Sequence, residues 1–333
     1  MNRNPTIIEQ FVIPHTAFAE AQRQIEQCFR FSTGQGAWGL AIVGESRTGK
    51  TSLLENFELK HQKSHDKDGM NVPVLCASVP SGPTIKSLAG KLLEGFGAPD
   101  PERGTENEKS RRLRRLIKES GTRMVMLDEF HHFYDRGKRR IMHNVADWLK
   151  VLIDDTRTTL VVAGLPSCKS VIDQNEQLAG RFLAPIEMPR FIWTDIGSRS
   201  QFIKILKGFH NEIAKQYKIS EFYNSEMSFR FYCATGGLIG LLAKLLRQAL
   251  RNASDSKADS ILLHDLATAH IQSAWSSDDT NPFETSFQLV ASVDLLDRVS
   301  KIGTKIEEEE EDLHPRRRAK GQRSQSVNSL LVA

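Results

Sequence analysis

The chain has 333 residues, 26% of them charged and 39% hydrophobic, which gives room for one large domain or a core with a smaller lid, at the polarity of a soluble protein. A net charge of +4 and a pI near 8.8 admit a polyanionic partner without requiring one. No apolar run reaches the length of a membrane span, the first residues lack the apolar core of a signal peptide, and the four cysteines are too scattered for a metal-ligand pair or a disulfide framework, so a cytoplasmic protein is expected.

In chain order, Ile7, Ile8, Phe11, Val12 and Ile13 form an apolar run. Pro14 separates it from a helical pattern, Phe18, Ala21, Ile25 and Phe29, which predicts a helix over Thr16 to Phe31. Val12 and Ile13, with Pro14 and His15, are candidate contacts to a nucleotide base; a helix that caps the sheet edge is the competing reading. Trp38 to Val43 reads as a strand, and G-E-S-R-T-G-K-T from Gly44 to Thr51 follows it and opens a helix. Strand, glycine-rich loop and helix in that order make a phosphate cradle. Gly44 and Gly49 let the backbone curl so that N–H groups and the helix N-terminus converge on one anion. Candidate nucleotide contacts are Gly44, Glu45, Ser46, Arg47, Thr48, Gly49, Lys50, Thr51 and Ser52. Lys50 is expected on the β- and γ-phosphates of ATP, and the Thr51 hydroxyl on Mg²⁺.

A polar turn is expected from Lys60 to Gly69, then a buried strand over Val72 to Ala77. Pro83 and Thr84 open a helix that runs to Phe96, residues 97–109 read as a loop, and Lys109 to Lys118 reads as an amphipathic basic helix. Arg123 to Glu129 is an apolar strand that delivers two carboxylates to its C-terminal end, where ligands of open α/β sheets bind. Asp128 is assigned to Mg²⁺ opposite Thr51, and Glu129 to orienting and polarising the attacking water. His131 and His132 are read as supporting or packing groups beside the acids, and zinc is disfavoured because H-E-x-x-H spacing is absent. A helix is expected over Ile141 to Ile153.

Thr158 to Gly164 reads as a further buried strand; similarity to phosphate-loop ATPases with a catalytic glutamate implies a place between the loop strand and the acidic strand. Its tip, Gly164-Leu165-Pro166-Ser167, lacks the Thr or Asn that senses a γ-phosphate in ATPases with a catalytic glutamate, and Ser167 is the only substitute on offer. Arg181 precedes a short strand, Ala184 to Met188; it either reaches a neighbouring subunit's γ-phosphate or is a surface arginine. From Thr194 the pattern is helical: Asp195 to His210, Glu212 to Tyr217, Glu226 to Thr235, Leu238 to Ala253 and His264 to Trp275. Lys244 or Arg247 is the candidate lid sensor. Beyond Trp275 periodicity is lost. The acidic run Glu307 to Asp312 and the basic run Arg316 to Lys320 read as a flexible interaction tail, with the apolar island Asn281 to Leu289 as a docking segment for a partner. The domain reading is an N-terminal segment with a base-packing helix (1–32), a nucleotide-binding core (33–191), a helical lid (192–275) and a tail (276–333).

Val43 to Thr51, Leu127-Asp128-Glu129-Phe130-His131-His132, and Val161 to Pro166 continuing through Leu178 to Arg181-Phe182 together resemble an AAA+ ATPase, and more narrowly the TnsC/TniB transposition regulators of Tn7-like elements, over about residues 10–275. The resemblance implies an α/β P-loop NTPase of the ASCE class, with a five-stranded parallel sheet, a C-terminal helical lid and a flexible tail. It further implies rings or filaments on duplex DNA, largely independent of sequence. ATP hydrolysis would control disassembly, and contacts would link a target selector of TnsD/TniQ type to transposase subunits of TnsA/TnsB type. By the same resemblance the DNA-facing residues are Thr84, Lys86, Arg103 and Thr105, with the basic helix Arg111 to Arg115 as second candidate and a solvated helix face as its alternative. Two other readings stand beside it: a nucleotide-dependent scaffold that never binds DNA, and a relative of helicase loaders and replication initiators.

Overall fold

The computed structural model describes residues 6–10, 12–32, 38–67, 69–135, 139–273, 281–284 and 292–303. In chain order the core comprises α1 (Thr16–Phe31), β1 (Gly39–Val43), α2 (Lys50–Lys60), β2 (Ser64–Asp66), β3 (Gly69–Asn71), β4 (Val74–Ser78), α3 (Ile85–Gly95), α4 (Glu106–Glu119), β5 (Met124–Asp128), α5 (His132–Asp135), α6 (Arg139–Thr156), β6 (Thr159–Gly164), α7 (Cys168–Ile172), α8 (Glu176–Ala179) and β7 (Ile186–Glu187). The lid follows with α9 (Ile196–Ile213), β8 (Lys218–Ile219), α10 (Ser225–Thr235), α11 (Ile239–Asp255), β9 (Ser260–Ile261) and α12 (Leu263–Ser273), and α13 (Val293–Ser300) lies beyond it.

Five parallel strands stand in the order β4-β5-β6-β1-β7, which puts β6 between the loop strand and the acidic strand as expected. Every residue of β1, β5 and β6 is buried, because helices cover both faces. One face packs Leu40, Ile42, Met126 and Val161 against α1 and α2 through Ile25, Leu53 and Phe57. The other packs Val125, Leu127 and Val162 against α3, α4, α6 and α7. Val43 pairs with Gly164 and Leu127 with Val162, so the ends of β1, β5 and β6 finish at one level. That shared edge is where the phosphate loop and both acids emerge.

The lid has its own core, which includes Phe202, Leu206, Phe229, Phe231, Leu242 and Leu246. Gly236 and Gly237, both in left-handed conformation (φ 59° and 74°), turn α10 into α11. A Cβ on Gly237 would run into the Phe191 carbonyl oxygen, so the linker from the core passes directly over this turn. No single helix among the described residues is long and apolar enough to cross a membrane; α10 and α11 pass together on composition, but they are bent by 106° and carry the lid core.

Four expectations are corrected. The polar turn after α2 contains the hairpin β2–β3, with Ser64 opposite Asn71. Residues 97–109 are only partly loop, since Thr105 caps α4 and starts it at Glu106. No helix spans 212–217: α9 runs on to Ile213, and β8 then pairs in parallel with β9. The start of the apolar island docks at home, because Phe283 is 2% exposed, packs edge-on to Phe231 with ring centroids 5.3 Å apart, and Arg230 bonds to the Pro282 carbonyl. Val299 of α13 is buried in the same core. The charged runs 307–312 and 316–320 lie outside the described residues.

Candidate nucleotide site

β1 ends at Val43 and the loop turns at once into α2, whose N-terminal position is taken by Gly49 at φ 99° with no capping side chain. A side chain on Gly44 would collide with the Met188 carbonyl oxygen at the end of β7, so glycine is required there by packing as well as by chemistry. Thr48 is buried and its hydroxyl donates to the Glu45 carbonyl at 2.9 Å, which places it inside the loop as a brace. Ser46, Arg47, Thr51 and Ser52 are exposed. Lys50 is 7% exposed and its ammonium donates to the carbonyls of Gly44 (2.7 Å) and Glu45 (2.6 Å), which wraps the cation inside the loop.

The Thr51 hydroxyl donates to Asp128 Oδ2 at 2.7 Å across the gap between α2 and β5, and Asp128 Oδ1 accepts the Glu129 N–H at 2.8 Å. The hydroxyl and carboxylate oxygens meet as hard donors, a set that suits Mg²⁺. With the glycine-lined cradle beside them, these residues fit a magnesium nucleotide: Thr51 and Asp128 would hold the ion, which when bound neutralises phosphate charge.

Glu129 begins the turn after β5 at φ 54°, an uncommon conformation for a residue with a side chain. Burial, and then the neighbouring Asp128 charge, push its carboxyl above the ordinary range. His131 is buried, and its Nε2 faces Glu129 Oε2 at 3.3 Å and Asp135 Oδ2 at 3.7 Å; burial lowers its pKa. His132 Nδ1 is 2.9 Å from the Val79 carbonyl oxygen and donates to it. Ligand-type atoms of Glu129, His131 and His132 all fall within 4.8 Å of one another. The Leu165 N–H, however, points at His131 Nδ1 (3.5 Å), which leaves the proton of a neutral ring on Nε2, the nitrogen that faces the carboxylates.

The remaining predicted residues fall elsewhere. Arg181 lies at the opposite end of β1, where its carbonyl accepts the Gly39 N–H, about 16 Å of strand from the phosphate loop. Its guanidinium is paired with Asp154 Oδ1 at 2.5 Å, so it does not serve its own subunit's loop. Ser167 precedes α7, and the tip residue Gly164 packs on His131. Lys244 is exposed on α11, one helical turn after Gly240, whose N–H donates to the Arg47 carbonyl at 2.8 Å; Arg247 lies a turn further on. Ile13 packs on Gly208 of α9, and the His15 ring meets Phe191 with centroids 5.2 Å apart, so this segment and Val12 lie where core and lid meet. Thr84 and Thr105 cap α3 and α4 through capping boxes with Ser87 and Glu108, and Lys86 and Arg103 are exposed nearby. In the basic helix, Arg112 bonds to the Pro99 and Asp100 carbonyls and Arg114 to Asp155 at 2.9 Å, so both are engaged within the core.

Sequence reading missed Arg190. Its guanidinium pairs with the Glu45 carboxylate in the phosphate loop (Nε to Oε2, 2.9 Å) and bonds to the carbonyls of Gly236, Ser300 and Ile302. Nothing local marks it, since Glu45 is 145 residues away.

The family profile described as "Bacterial TniB protein" matches residues 3–192. Among curated proteins, none matches the chain significantly. Among solved structures, the chain is similar to the ORC2 protein of Aeropyrum pernix in ADPNP–ADP complexes, with TM-score 0.59, 15% identity, and 83% of this chain and 73% of that one covered. It is also similar to Cdc6p of Pyrobaculum aerophilum, with TM-score 0.57, 14% identity and coverage of 91% and 84%. A third likeness is to the ORC1 protein of Aeropyrum pernix in complex with DNA, with TM-score 0.55, 16% identity and coverage of 81% and 69%. At such identities the likeness establishes the fold alone.

Proposed function

Because this chain belongs to the bacterial TniB protein family and has the AAA+ ATPase fold, we propose that it is an ATP-dependent regulator of DNA transposition, acting in the cytoplasm, that assembles on duplex DNA. The observation that carries the ATPase part is the meeting of Thr51 and Asp128 at 2.7 Å, with Glu129 next in the chain at the shared edge of the sheet.

In this reading the loop N–H groups and Lys50 bind the triphosphate, Thr51 and Asp128 hold Mg²⁺, and Glu129 takes a hydrogen of the attacking water. Burial, and then the Asp128 charge, raise the Glu129 pKa, which strengthens the carboxylate as a proton acceptor. Arg181, on the far end of the sheet, serves a neighbouring copy's γ-phosphate once it leaves Asp154, so assembly and nucleotide state are linked. Lys244, on the face of α11 that meets the loop, is the better placed of the two lid candidates, and Val12 and Ile13 contact the base at the core–lid junction. DNA is held by Lys86, Arg103, Thr84 and Thr105, chiefly at phosphates, while a TnsD/TniQ-type partner chooses the target and TnsA/TnsB-type transposase subunits respond.

The test is assembly. With duplex DNA and a non-hydrolysable ATP analogue, sedimentation and electron microscopy should show large rings or filaments, and Lys50→Ala should abolish them. A chain that stays monomeric under those conditions would overturn the reading. Assembly without retention on DNA at moderate salt would favour the scaffold alternative.

A further inference from the structure

We propose that His131 is a positioning residue for hydrolysis, which steers the Glu129 carboxylate and fills the place of the polar side chain missing from the tip of β6. The inference rests on the ATPase reading of the site and extends it to a residue that reading does not use.

Three observations converge. His131 Nε2 stands 3.3 Å from Glu129 Oε2. Contacts of this kind are long before the reacting complex forms and tighten within it. On the other side of the ring, the N–H of Leu165, the first residue beyond β6, approaches Nδ1 at 3.5 Å, which selects the tautomer with a proton to offer Glu129. At the tip itself, a Cβ on Gly164 would lie 3.0 Å from His131 Nδ1, 3.1 Å from the His131 backbone nitrogen and 2.5 Å from Cys168 Sγ. Glycine therefore stands at this tip because the Cys168 sulfur closes the space first and the His131 ring lines the rest of it.

The surroundings hold the ring in place. Buried Phe130 and Phe133 flank it in sequence, the Phe130 N–H donates to the Ala163 carbonyl at 2.9 Å, and the His132 ring, fixed on the Val79 carbonyl, lies 4.8 Å away. Glu129 has its backbone in the left-handed region at φ 54°, with a side chain that is 42% exposed, so its direction is poorly set by its own turn. A donor from His131 to Oε2 leaves Oε1 to receive the water's hydrogen. It also makes the position of the β6 tip felt at Glu129 through one ring.

The experiment measures steady-state ATP hydrolysis, with Mg²⁺ and duplex DNA present, together with the Kd of a fluorescent ATP analogue. It compares wild type, Glu129→Gln, His131→Ala, His131→Asn and His131→Gln. The amide nitrogen of glutamine reproduces the place of Nε2, whereas that of asparagine reproduces Nδ1. His131→Ala and His131→Asn should lower kcat by roughly 30-fold while nucleotide Kd stays within about 2-fold, and His131→Gln should recover to within roughly 5-fold of wild type. Wild-type kcat in His131→Ala, or equal loss in the glutamine and asparagine variants, would overturn the role of His131 and leave the ATPase reading intact. Wild-type turnover in Glu129→Gln, or no turnover in the unaltered protein, would overturn both.

Discussion

At the scale of single residues, the site combines groups whose protonation is set by burial. His15 is the clearest case away from the phosphates. Half-buried between Phe18 and Phe191 at the core–lid junction, its imidazole is pushed down by desolvation to about 4. A base whose folded pKa lies below its unfolded value binds more protons unfolded, so its contribution to stability is complete above about 6.5 and is lost as pH falls from there toward 4. The loss is on the order of 2 kcal/mol after discount for partial exposure. His15→Gln should flatten this part of the stability curve, as read by thermal melts from pH 7 to 4; an unchanged difference between pH 7 and pH 5 would contradict it. Much of the site is legible at this scale, because the chemistry of a phosphate loop is local: eight consecutive residues, then two acids at a strand end. Arg190 is not legible, since a guanidinium is recruited by shape and charge from distant segments, and no spacing rule connects 190 to 45. The glycine at the β6 tip reads as a missing sensor until the His131 ring beside it is seen.

At the scale of elements, long periodic segments are predictable and short paired ones are not. β1, β5 and β6 declare themselves by uninterrupted apolar runs, and α1 by its spacing. β2 with β3 and β8 with β9 are strands of two or three residues, too short to carry a period, and they exist because partners face them. The start of α4 was written in the sequence as Thr105-Glu106-Asn107-Glu108, a capping box that the loop-like composition of 97–109 concealed. The turn from α10 to α11 makes a sharper prediction. Gly237→Ala places a side chain at φ 74° against the Phe191 carbonyl, in backbone that cannot yield, and should cost about 2 to 4 kcal/mol. Gly82→Ala, at a site with open space, serves as the control and should change the melting temperature little. Equal melting temperatures for the two variants would show that the linker does not bear on the lid turn as described.

For the whole molecule, the core has a hydrophobic interior on each face of its sheet and the lid has a third, and core and lid meet beside the candidate nucleotide site. Their contacts include Gly240 against Arg47, the linker over Gly237, and Arg190 between Glu45 and the Gly236 carbonyl. The sheet also separates Lys50 at one end of β1 from Arg181 at the other, which suits a ring or filament in which each nucleotide is read by two subunits. Arg181→Ala should retain nucleotide binding but lose roughly 100-fold or more in the hydrolysis of the assembled protein, with little change in any unassembled turnover. Asp154→Asn, which releases the guanidinium, should hydrolyse at least as fast as wild type. Wild-type rates in Arg181→Ala assemblies would make Arg181 an ordinary surface residue.

One further consequence concerns Arg190. A single planar cation steadies the carboxylate of Glu45 while its Nη1 holds the Gly236 carbonyl of the lid turn and the Ser300 and Ile302 carbonyls at the end of α13. Whatever draws Ser300 and Ile302 aside would therefore also disturb Glu45 in the glycine-rich loop. Conversely, a ligand that fixed Glu45 would resist that pull, so residues 300–302 and the candidate nucleotide site are linked through one side chain.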